Sequence, residues 1–444
     1  MQDRYLLYYL LILFISSLVY NLSGRILVKR IVIIASSLLF FAILNSTYVI
    51  LFLLQILLNY FLAKKISNQK SKKDFLFLSL IINVGSLALF KIATQTQIGW
   101  ILPIGISYYT LQVLAFHLDL YRSESVSNLR FWPFVQFHLF FPNIVAGPIE
   151  RTNLYKQFVE CPTNTTKNFY RGMTLILFGI AKKFIVANFL AKLLDPLFVN
   201  HGQVDSISLL GAILLYPFQL FYDFSSLADM AIGAGLLFGI KISLNFNRPF
   251  YSQNMIEFWQ KWHITLSTWV RDYIYMPLGI SSIGMASRYL PIILSFGIIG
   301  IWHNLNLNFL IYGLLHGHII YFQSSMKRPF NVSPLFKTIF NYFFFISTTF
   351  LLMRFSTFQE IFSFLYSLLK FEVHSSFFNL NLAKILIFIL IFELVEKVND
   401  EKDLVSKLYQ KGYFVSLTFF AAFINLLLFF GEFSGQFEFI YPGY

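Results

Sequence analysis

The stretch "FLFLSLIINVGSLALF", residues 75–90, consists almost entirely of apolar side chains and carries no charge. It approaches the length of about 20 apolar residues that a helix needs to span a bilayer. Similar runs recur along the chain, at residues 5–20, 31–44, 48–63, 173–194, 289–301, 309–322, 339–353, 385–394 and 414–430. The pattern predicts an all-α, polytopic membrane bundle with roughly 10–13 membrane helices, some of them re-entrant.

The composition of the 444-residue chain agrees with this prediction. Hydrophobic residues make up 57% of the sequence and charged residues only 12%. Soluble domains carry about 25% charged residues, so this chain has about half the usual charge. We therefore expect a protein surrounded by membrane lipid, with no soluble domain.

The net charge of +13 is concentrated in short loops between the apolar runs. One basic loop contains Arg25, Lys29 and Arg30, and the next is "KKISNQKSKK" at residues 64–73. The nearly neutral turn "LNST", residues 44–47, lies between them. Basic loops of this kind remain on the cytoplasmic side, so the distribution of charge indicates membrane topology and excludes nucleic acid as the partner.

The N-terminal segment fits the same topology. Residues 1–20 lack the basic beginning and the small-residue cleavage pattern of a signal peptide. We therefore expect a retained first helix with its N-terminus outside. A location in a membrane, crossed several times, is therefore expected.

Polar residues divide the chain into three predicted parts. Residues 1–95 are N-terminal membrane helices, residues 96–325 form the part in which polar side chains enter apolar regions, and residues 326–444 return to ordinary helices. Three segments of the middle part combine aromatic residues with proline, glycine or charge, at residues 103–122, 140–151 and 220–233. Irregular backbone at membrane depth needs protein or water around it, so these segments predict broken helices that line a central funnel.

Several kinds of chemistry have little support in the sequence. Cys161 is the single cysteine, which excludes an internal disulfide or a CxxC metal site. As a nucleophile it competes with the plainer interpretation of a loop residue. His316 and His318 are two positions apart without a nearby carboxylate, and this spacing does not favour a zinc site. No Walker loop is present, so ATP-driven work is not indicated.

Eight histidines remain as candidates for proton transfer: His117, His138, His201, His263, His303, His316, His318 and His374. A histidine inside a membrane protein is more commonly a packed, hydrogen-bonded group than a catalyst. Imidazole is nevertheless the side chain best suited to move protons near neutral pH. Sequence context distinguishes two of the eight.

His263 lies in "FWQKWHITLSTWVRDYIYMPLG", residues 258–279. If this stretch is helical, His263, Ser267 and Arg271 occupy positions i, i+4 and i+8, on a face shared with Trp259. Such a polar stripe has to face a cavity or another helix. The alternative is an interfacial helix whose arginine reaches the lipid headgroups.

His303 follows Trp302 at the end of an apolar helix. Asn304, Asn306 and Asn308 come next, an unusual density of amides for a membrane segment, and His316 follows after one further short helix. The stretch predicts a polar interior position at the end of that helix.

These stretches resemble the membrane-bound O-acyltransferase family, and most of all its bacterial branch that acetylates alginate and peptidoglycan. That branch is related to the membrane protein that transfers D-alanine to teichoic acids. The resemblance extends over residues 100–325 and rests on "PIGISYYTLQ", "FFPNIVAGPIER", "FYDFSSLADMAIG", "FNRPFYSQNMIEFWQKWHITLSTWVRDYIYMPLG", "GIWHN" and "YGLLHG". Residues 96–325 would then be the catalytic core.

The resemblance also implies the residues that act. His303 matches the essential histidine of the family's tryptophan-histidine motif, which in bacteria usually reads Trp-His-Gly, whereas Asn304 follows here. His303 would be the general base, and His263, 40 positions earlier, would polarise or position the acyl carbonyl. The candidate supporting residues are Trp262, Ser267, Arg271, Asp272, Trp302, Asn304 and His316.

The C-terminal sequence "FIYPGY", residues 439–444, resembles the tyrosine-containing ending of bacterial acetyl-transfer proteins. Tyr441 would accept the acyl group and pass it to an extracytoplasmic SGNH/GDSL-type O-acetyltransferase. This topology requires residues 396–407 to be cytoplasmic and residues 357–370 to lie along the interface. The alternative is an aromatic tail anchored at the headgroups.

The expected function is transfer of acetyl from a cytoplasmic donor, expected to be acetyl-CoA, to a cell-envelope polysaccharide. No permanently bound cofactor or metal is expected. Peptidoglycan is the preferred acceptor, and alginate, another exopolysaccharide or D-alanylation of teichoic acid are alternatives. One alternative that is not an enzyme is a transporter or flippase, whose interior binds its cargo without reacting. Another is a scaffold for the envelope transferase.

Overall fold

The structure is a computed structural model, and it describes residues 3–68, 72–95, 103, 105–122, 128–144, 147–281, 286–326, 332–370, 380–402 and 413–433. Every regular element within these residues is a helix, which confirms the all-α prediction. Seven helical segments of the described chain are long and apolar enough to cross a membrane: Tyr5–Leu22, Ile26–Thr47, Val49–Ser67, Lys72–Thr94, Thr166–Val199, Ser206–Leu237 and Pro334–Arg354. Shorter apolar helices occur at Arg288–His303 and Phe420–Phe430.

The chain divides into two compact units. The first contains the described parts of residues 1–176 and 227–244. Its helices are α1 (Asp3–Leu22), α2 (Ile26–Asn68), α3 (Lys72–Gln95), α4 (Ile106–Tyr121), α5 (Phe131–Leu139), α6 (Phe141–Ile144), α7 (Thr152–Glu160), the beginning of α8 (Thr166–Ala181) and, further along the chain, the end of α10 (Ser206–Leu237). Helix α2 is interrupted at Asn45, whose φ of −163° and ψ of 104° are not helical. The interruption lies in the predicted "LNST" turn.

Buried amides and hydroxyls connect the helices of the first unit. The side chains of Asn59 and Asn83 exchange hydrogen bonds of 3.0 and 2.8 Å, and Asn59 also donates to Tyr109. His117 is fully buried, with Nδ1 2.6 Å from the hydroxyl of Ser79 and Nε2 3.0 Å from the carbonyl oxygen of Asn59. Both of its ring nitrogens are therefore used in packing, as expected for most buried histidines.

The prediction of broken backbone is correct for one of the three segments and wrong for residues 220–233. In the remaining segment, residues 106–121 form the continuous helix α4. Residues 140–151 contain the four-residue helix α6, and the described residues 147–151 are irregular. Residues 220–233, in contrast, lie within the continuous helix α10. A glycine there serves close packing, because a Cβ added to Gly233 would lie 2.6 Å from the carbonyl oxygen of Gly172. Glycine at such a contact lets two helix backbones approach and does not end the helix.

The second unit contains the described parts of residues 177–226 and 245–433. Besides the end of α8 and the beginning of α10, its helices are α9 (Asn188–Val199), α11 (Met255–Lys261), α12 (Ile264–Val270), α13 (Met276–Ser281), α14 (Ala286–His303), α15 (Leu307–Ser325), α16 (Pro334–Phe340), α17 (Ser347–Arg354), α18 (Phe358–Leu368), α19 (Leu380–Lys402) and α20 (Tyr413–Phe430). Wide π-helical turns occur at Lys182–Ala187, Arg271–Tyr275 and Asn341–Ile346.

Two buried lysines of the second unit lie on an apolar helical segment and are paired with acidic side chains. Lys182 forms an ion pair with Glu396, and Lys183 forms one with Asp223. Only 3% of the Lys182 side chain and 6% of the Lys183 side chain is exposed. Because an isolated charge is costly at membrane depth, these pairs explain how lysines are accommodated within a candidate spanning segment.

Candidate functional site

His263 occupies a break between two helices, which corrects the prediction of one continuous helix. Helix α11 ends at Lys261 and α12 begins at Ile264. Between them His263 has the left-handed conformation, with φ 43° and ψ 53°. Residues other than glycine rarely adopt this backbone conformation. Such strained residues occur most often at functional sites.

Asn245 holds the break in place. Its backbone carbonyl accepts from the N–H of Ile264 at 2.8 Å. Its side-chain Oδ1 accepts from the N–H of Thr265 at 3.3 Å and from the hydroxyl of Thr265 at 2.8 Å. The same oxygen lies 3.1 Å from Nδ1 of His263. Asn245, 18 positions before His263, therefore accepts from the first backbone N–H groups of α12. Local periodicity does not reveal this partner.

The predicted stripe of Trp259, His263, Ser267 and Arg271 does not form. Trp259 precedes the break, and its Nε1 donates to Nδ1 of His316 at 3.0 Å. The hydroxyl of Ser267 donates to the carbonyl of Trp262 at 3.2 Å. Arg271 begins a π-helical turn, pairs with the adjacent Asp272 at 2.7 Å and leaves 58% of its side chain exposed. The break at residues 262–263 and the π turn change the helical register on both sides of α12.

His316 has partners on both ring nitrogens. Nδ1 accepts from Trp259, so the neutral ring carries its proton on Nε2, which lies 2.9 Å from the hydroxyl of Thr349. That hydroxyl donates in turn to the carbonyl of Phe345 at 2.6 Å. His316 thus connects α11, α15 and α17 as a structural residue. His316 can therefore support the site only indirectly, by holding α11 in place through Trp259.

Replacing Trp259 with phenylalanine tests this connection. The change keeps a large ring but removes the N–H that His316 accepts. Because a buried polar atom would lose its partner, we expect a loss of about 1–3 kcal/mol in the free energy of unfolding. Thermal unfolding of the purified protein in detergent would measure it. Trp132→Phe, at a side chain that is 49% exposed, is the matched control and is expected to change little.

His303 is the last residue of α14, and close packing of α14 against α15 determines its position. A Cβ added to Gly300 would lie 2.1 Å from the carbonyl oxygen of Phe309, and one added to Gly313 would lie 2.1 Å from that of Phe296. These glycines allow the two helix backbones to approach closely.

Two of the three amide side chains that follow His303 have structural partners. Asn306 caps α15 by accepting from the N–H of Phe309 at 2.9 Å, and buried Asn308 donates to the carbonyl of Phe355 at 2.8 Å. The backbone N–H of Asn304 donates to the carbonyl of Gly300 at 3.2 Å. Asn306 and Asn308 thus serve the local fold, by capping α15 and by binding the chain at Phe355.

The structure brings the rings of His263 and His303 together. Their centroids are 6.5 Å apart, with an angle of 55° between the ring planes. The ring of Trp302 lies 6.2 Å from that of His263 and 4.9 Å from that of His303. Phe224 packs edge-on against His263 at 4.8 Å. Two imidazoles 40 positions apart in sequence thus share an aromatic environment.

The two histidines differ in exposure. His263 is 1% exposed, whereas His303 is intermediate. His263 lies outside the candidate spanning segments, and burial lowers its pKa to about 3. The ring is therefore neutral at ordinary pH. Trp262, the residue before His263, stacks on Phe258 of α11 with a centroid distance of 5.5 Å.

Other predicted site features have different outcomes. Tyr441 lies outside the described residues, so its role stays a prediction. Within the described parts of the chain, no group of three histidine, cysteine or acidic side chains could hold a metal ion. Asn245 was not singled out from the sequence, although it directly precedes the quoted stretch that begins with "FNRPF". The signal that could have identified it is an amide next to an apolar run.

The sequence is similar to those of known proteins. Residues 71–368 match the model of the membrane-bound O-acyltransferase family. A probable alginate O-acetylase, AlgI, of Pseudomonas aeruginosa is 33% identical over 320 residues, which cover 67% of this chain and 61% of that protein. A peptidoglycan O-acetyltransferase of Helicobacter pylori is 33% identical over 353 residues, with 68% and 67% covered. A teichoic acid D-alanyltransferase of Streptococcus thermophilus is 28% identical over 273 residues, with 57% and 65% covered.

The similarity thus spans about three fifths of the length of the first alginate relatives. The family match covers well over half of this chain and includes both histidines of the site. With seven candidate spanning segments among the described residues, the protein is a multi-pass membrane protein. The chain belongs to the membrane-bound O-acyltransferase family.

Proposed function

We propose that this protein is an O-acyltransferase that moves an acetyl group from a cytoplasmic thioester to a hydroxyl. From this hydroxyl the acetyl group is passed on to a cell-envelope polysaccharide. The observation that carries the proposal is the pair of rings, His263 and His303, with centroids 6.5 Å apart in aromatic surroundings. The names of the relatives, which include alginate and peptidoglycan acetyl transfer, support the reaction type.

In the proposed reaction the hydroxyl oxygen attacks the carbonyl carbon of the thioester. A carbon–oxygen bond forms and the carbon–sulfur bond breaks. His303 accepts the hydroxyl proton and returns it to the departing thiolate, so no net proton is gained or lost. His263 lies beside the reacting groups. Aromatic walls formed by Trp302 and Phe224 would limit water, which would otherwise hydrolyse the thioester.

The proposed donor is acetyl-CoA, bound only as a substrate, and the proposed location is the cytoplasmic membrane of a bacterium. Peptidoglycan is the proposed polymer. Alginate and teichoic acid are the competing acceptors, since relatives named for all three match the chain.

Deletion of the gene, followed by chemical analysis of the envelope, tests this proposal. Mild base releases ester-linked acetate from purified peptidoglycan and from exopolysaccharide, and D-alanine esters are released from teichoic acid. We expect loss of acetate from peptidoglycan and restoration by the wild-type gene. Loss of acetate from exopolysaccharide alone, or of D-alanine alone, would overturn the choice of polymer. Unchanged esters in every fraction would overturn the proposed reaction.

We further propose that Tyr441 receives the acetyl group and passes it to an extracytoplasmic SGNH/GDSL-type transferase. Tyr441→Phe removes the accepting oxygen but keeps the aromatic ring. We expect polymer acetylation to fall to the level of the deletion strain, while the amount of membrane protein is unchanged. Tyr444→Phe is the matched control, because it changes a tyrosine three positions away. Full acetylation in the Tyr441 variant would favour an anchoring tail or a scaffold role.

A further inference from the structure

The orientation of the Asn245 amide follows from its partners. The backbone N–H of Thr265 can only donate, and it lies 3.3 Å from the Asn245 atom that also lies 2.8 Å from the Thr265 hydroxyl. That atom must therefore be the carbonyl oxygen and not the amide nitrogen. Asn245 is fully buried, so water does not compete for these bonds.

This assignment determines the proton on His263. Nδ1 of His263 lies 3.1 Å from the same Oδ1. Because an amide oxygen accepts and cannot donate, Nδ1 must carry the proton of this hydrogen bond. A neutral imidazole has one N–H, so its lone pair is then on Nε2. Burial lowers the pKa of His263 to about 3, which keeps the ring neutral.

We propose that Asn245 is a positioning residue that holds His263 as the Nδ1–H tautomer, so that His263 acts at the acyl-transfer centre as a hydrogen-bond acceptor and not as a donor. The inference rests on the proposed function and specifies the role of His263 within it. The family resemblance implies that His263 polarises or positions the acyl carbonyl, and the present inference excludes polarisation through a donated proton. A neutral ring whose N–H is bonded to Asn245 has no second proton to donate.

The acceptor form has a consequence for His303. When His303 takes the hydroxyl proton, a positive imidazolium forms with its ring centre 6.5 Å from that of His263. A neighbouring ring with its lone pair on Nε2 has a dipole that can favour that charge. The other tautomer would carry an N–H there instead. The orientation of a catalytic imidazole by a side-chain acceptor at Nδ1 follows the same logic as in hydrolase triads.

A second observation supports a functional placement of Asn245. Its Nδ2 is buried and has no hydrogen-bond partner among the described residues. Buried polar groups without a partner are unusual, and each calls for an explanation other than packing. The capping of α12 uses only the oxygen atoms of Asn245, so the local fold does not explain the amide nitrogen.

Two variants and one control test the inference. Asn245→Leu removes the acceptor at similar size, and Asn245→Asp keeps an acceptor oxygen for both Thr265 and His263. Thr265→Val removes one hydrogen bond to Asn245 Oδ1 but leaves His263 its partner. Two properties would be measured: acetyl transfer from acetyl-CoA in membranes as a function of pH, and the nitrogen-15 NMR signals of labelled histidine, assigned by comparison with a His263→Asn sample.

We expect the wild-type signals to show protonated Nδ1 and unprotonated Nε2. Asn245→Leu should lose this preference and lower the rate by about 10²–10⁴-fold, whereas Thr265→Val should keep both. Asn245→Asp should fold and retain the tautomer. Because a carboxylate stabilises the imidazolium form of His263, activity in this variant should be lost at a higher pH on acidification than in wild type.

A wild-type ring with its proton on Nε2 would overturn the inference, as would full activity in Asn245→Leu. Equal losses in Thr265→Val and Asn245→Leu, with the tautomer unchanged, would indicate a purely structural role and also overturn it. The NMR measurement does not depend on turnover. A wild-type protein that shows the expected tautomer but transfers no acetyl would therefore contradict the proposed function and not the assignment of the proton.

Discussion

His303→Ala is expected to lower acetyl transfer by about 10²–10⁴-fold, the usual contribution of a positioned general base. His303 is the final residue of α14 and is not fully buried, so its removal should leave the packing of α14 against α15 in place. The measurement is base-labile acetate in the purified envelope polymer, together with transfer from labelled acetyl-CoA in isolated membranes. Thermal unfolding in detergent would show whether the variant remains folded.

His318→Ala is the matched control. His318 is also on an apolar helix of the second unit, but it is exposed, with Nδ1 2.7 Å from the carbonyl of Leu314 and Nε2 2.9 Å from the hydroxyl of Tyr289. We expect normal transfer from this variant. If His303→Ala kept its output, the general-base role would be excluded and a transporter, which binds without reacting, would become the better explanation.

The helical class could be predicted from composition because apolar runs long enough to span a membrane leave few alternatives. All the apolar runs read from the sequence lie within or largely overlap helices in the structure. Residues 220–233 show where the reading failed. Glycine in a membrane segment can mark either a broken backbone or a close helix contact, and only the presence of Gly172 opposite Gly233 distinguishes them.

The site was predictable only in part, for a related reason. His263 and His303 were identified through family resemblance, since nothing local requires residues 40 positions apart to meet. The break at His263 depends on Asn245, which lies on a different segment. Helical periodicity assumes that a helix continues, so it placed Trp259 and His263 on one face. A long-range hydrogen bond that ends one helix and begins another cannot be read from spacing.

Gly300→Ala is expected to produce the largest structural effect at the site, because the added Cβ would lie 2.1 Å from the carbonyl oxygen of Phe309. That neighbour is backbone, so α14 and α15 would have to separate. Overpacking of this kind typically costs about 1–3 kcal/mol. Since His303 follows within one turn, acetyl transfer should fall as well. Gly313→Ala, which meets the carbonyl oxygen of Phe296 at 2.1 Å, should have a similar effect from the opposite helix.

Gly297→Ala separates this contact from the general effect of adding a methyl group to α14. A Cβ at Gly297 would meet its nearest atom, Cδ2 of Leu314, at 3.5 Å, which is ordinary van der Waals contact. Alanine favours a helix over glycine by about 1 kcal/mol, so this variant should be as stable as wild type or slightly more stable. Thermal unfolding in detergent and transfer rate would be compared for all three variants. Equal behaviour of the Gly300 and Gly297 variants would show that close approach of the two backbones does not position His303.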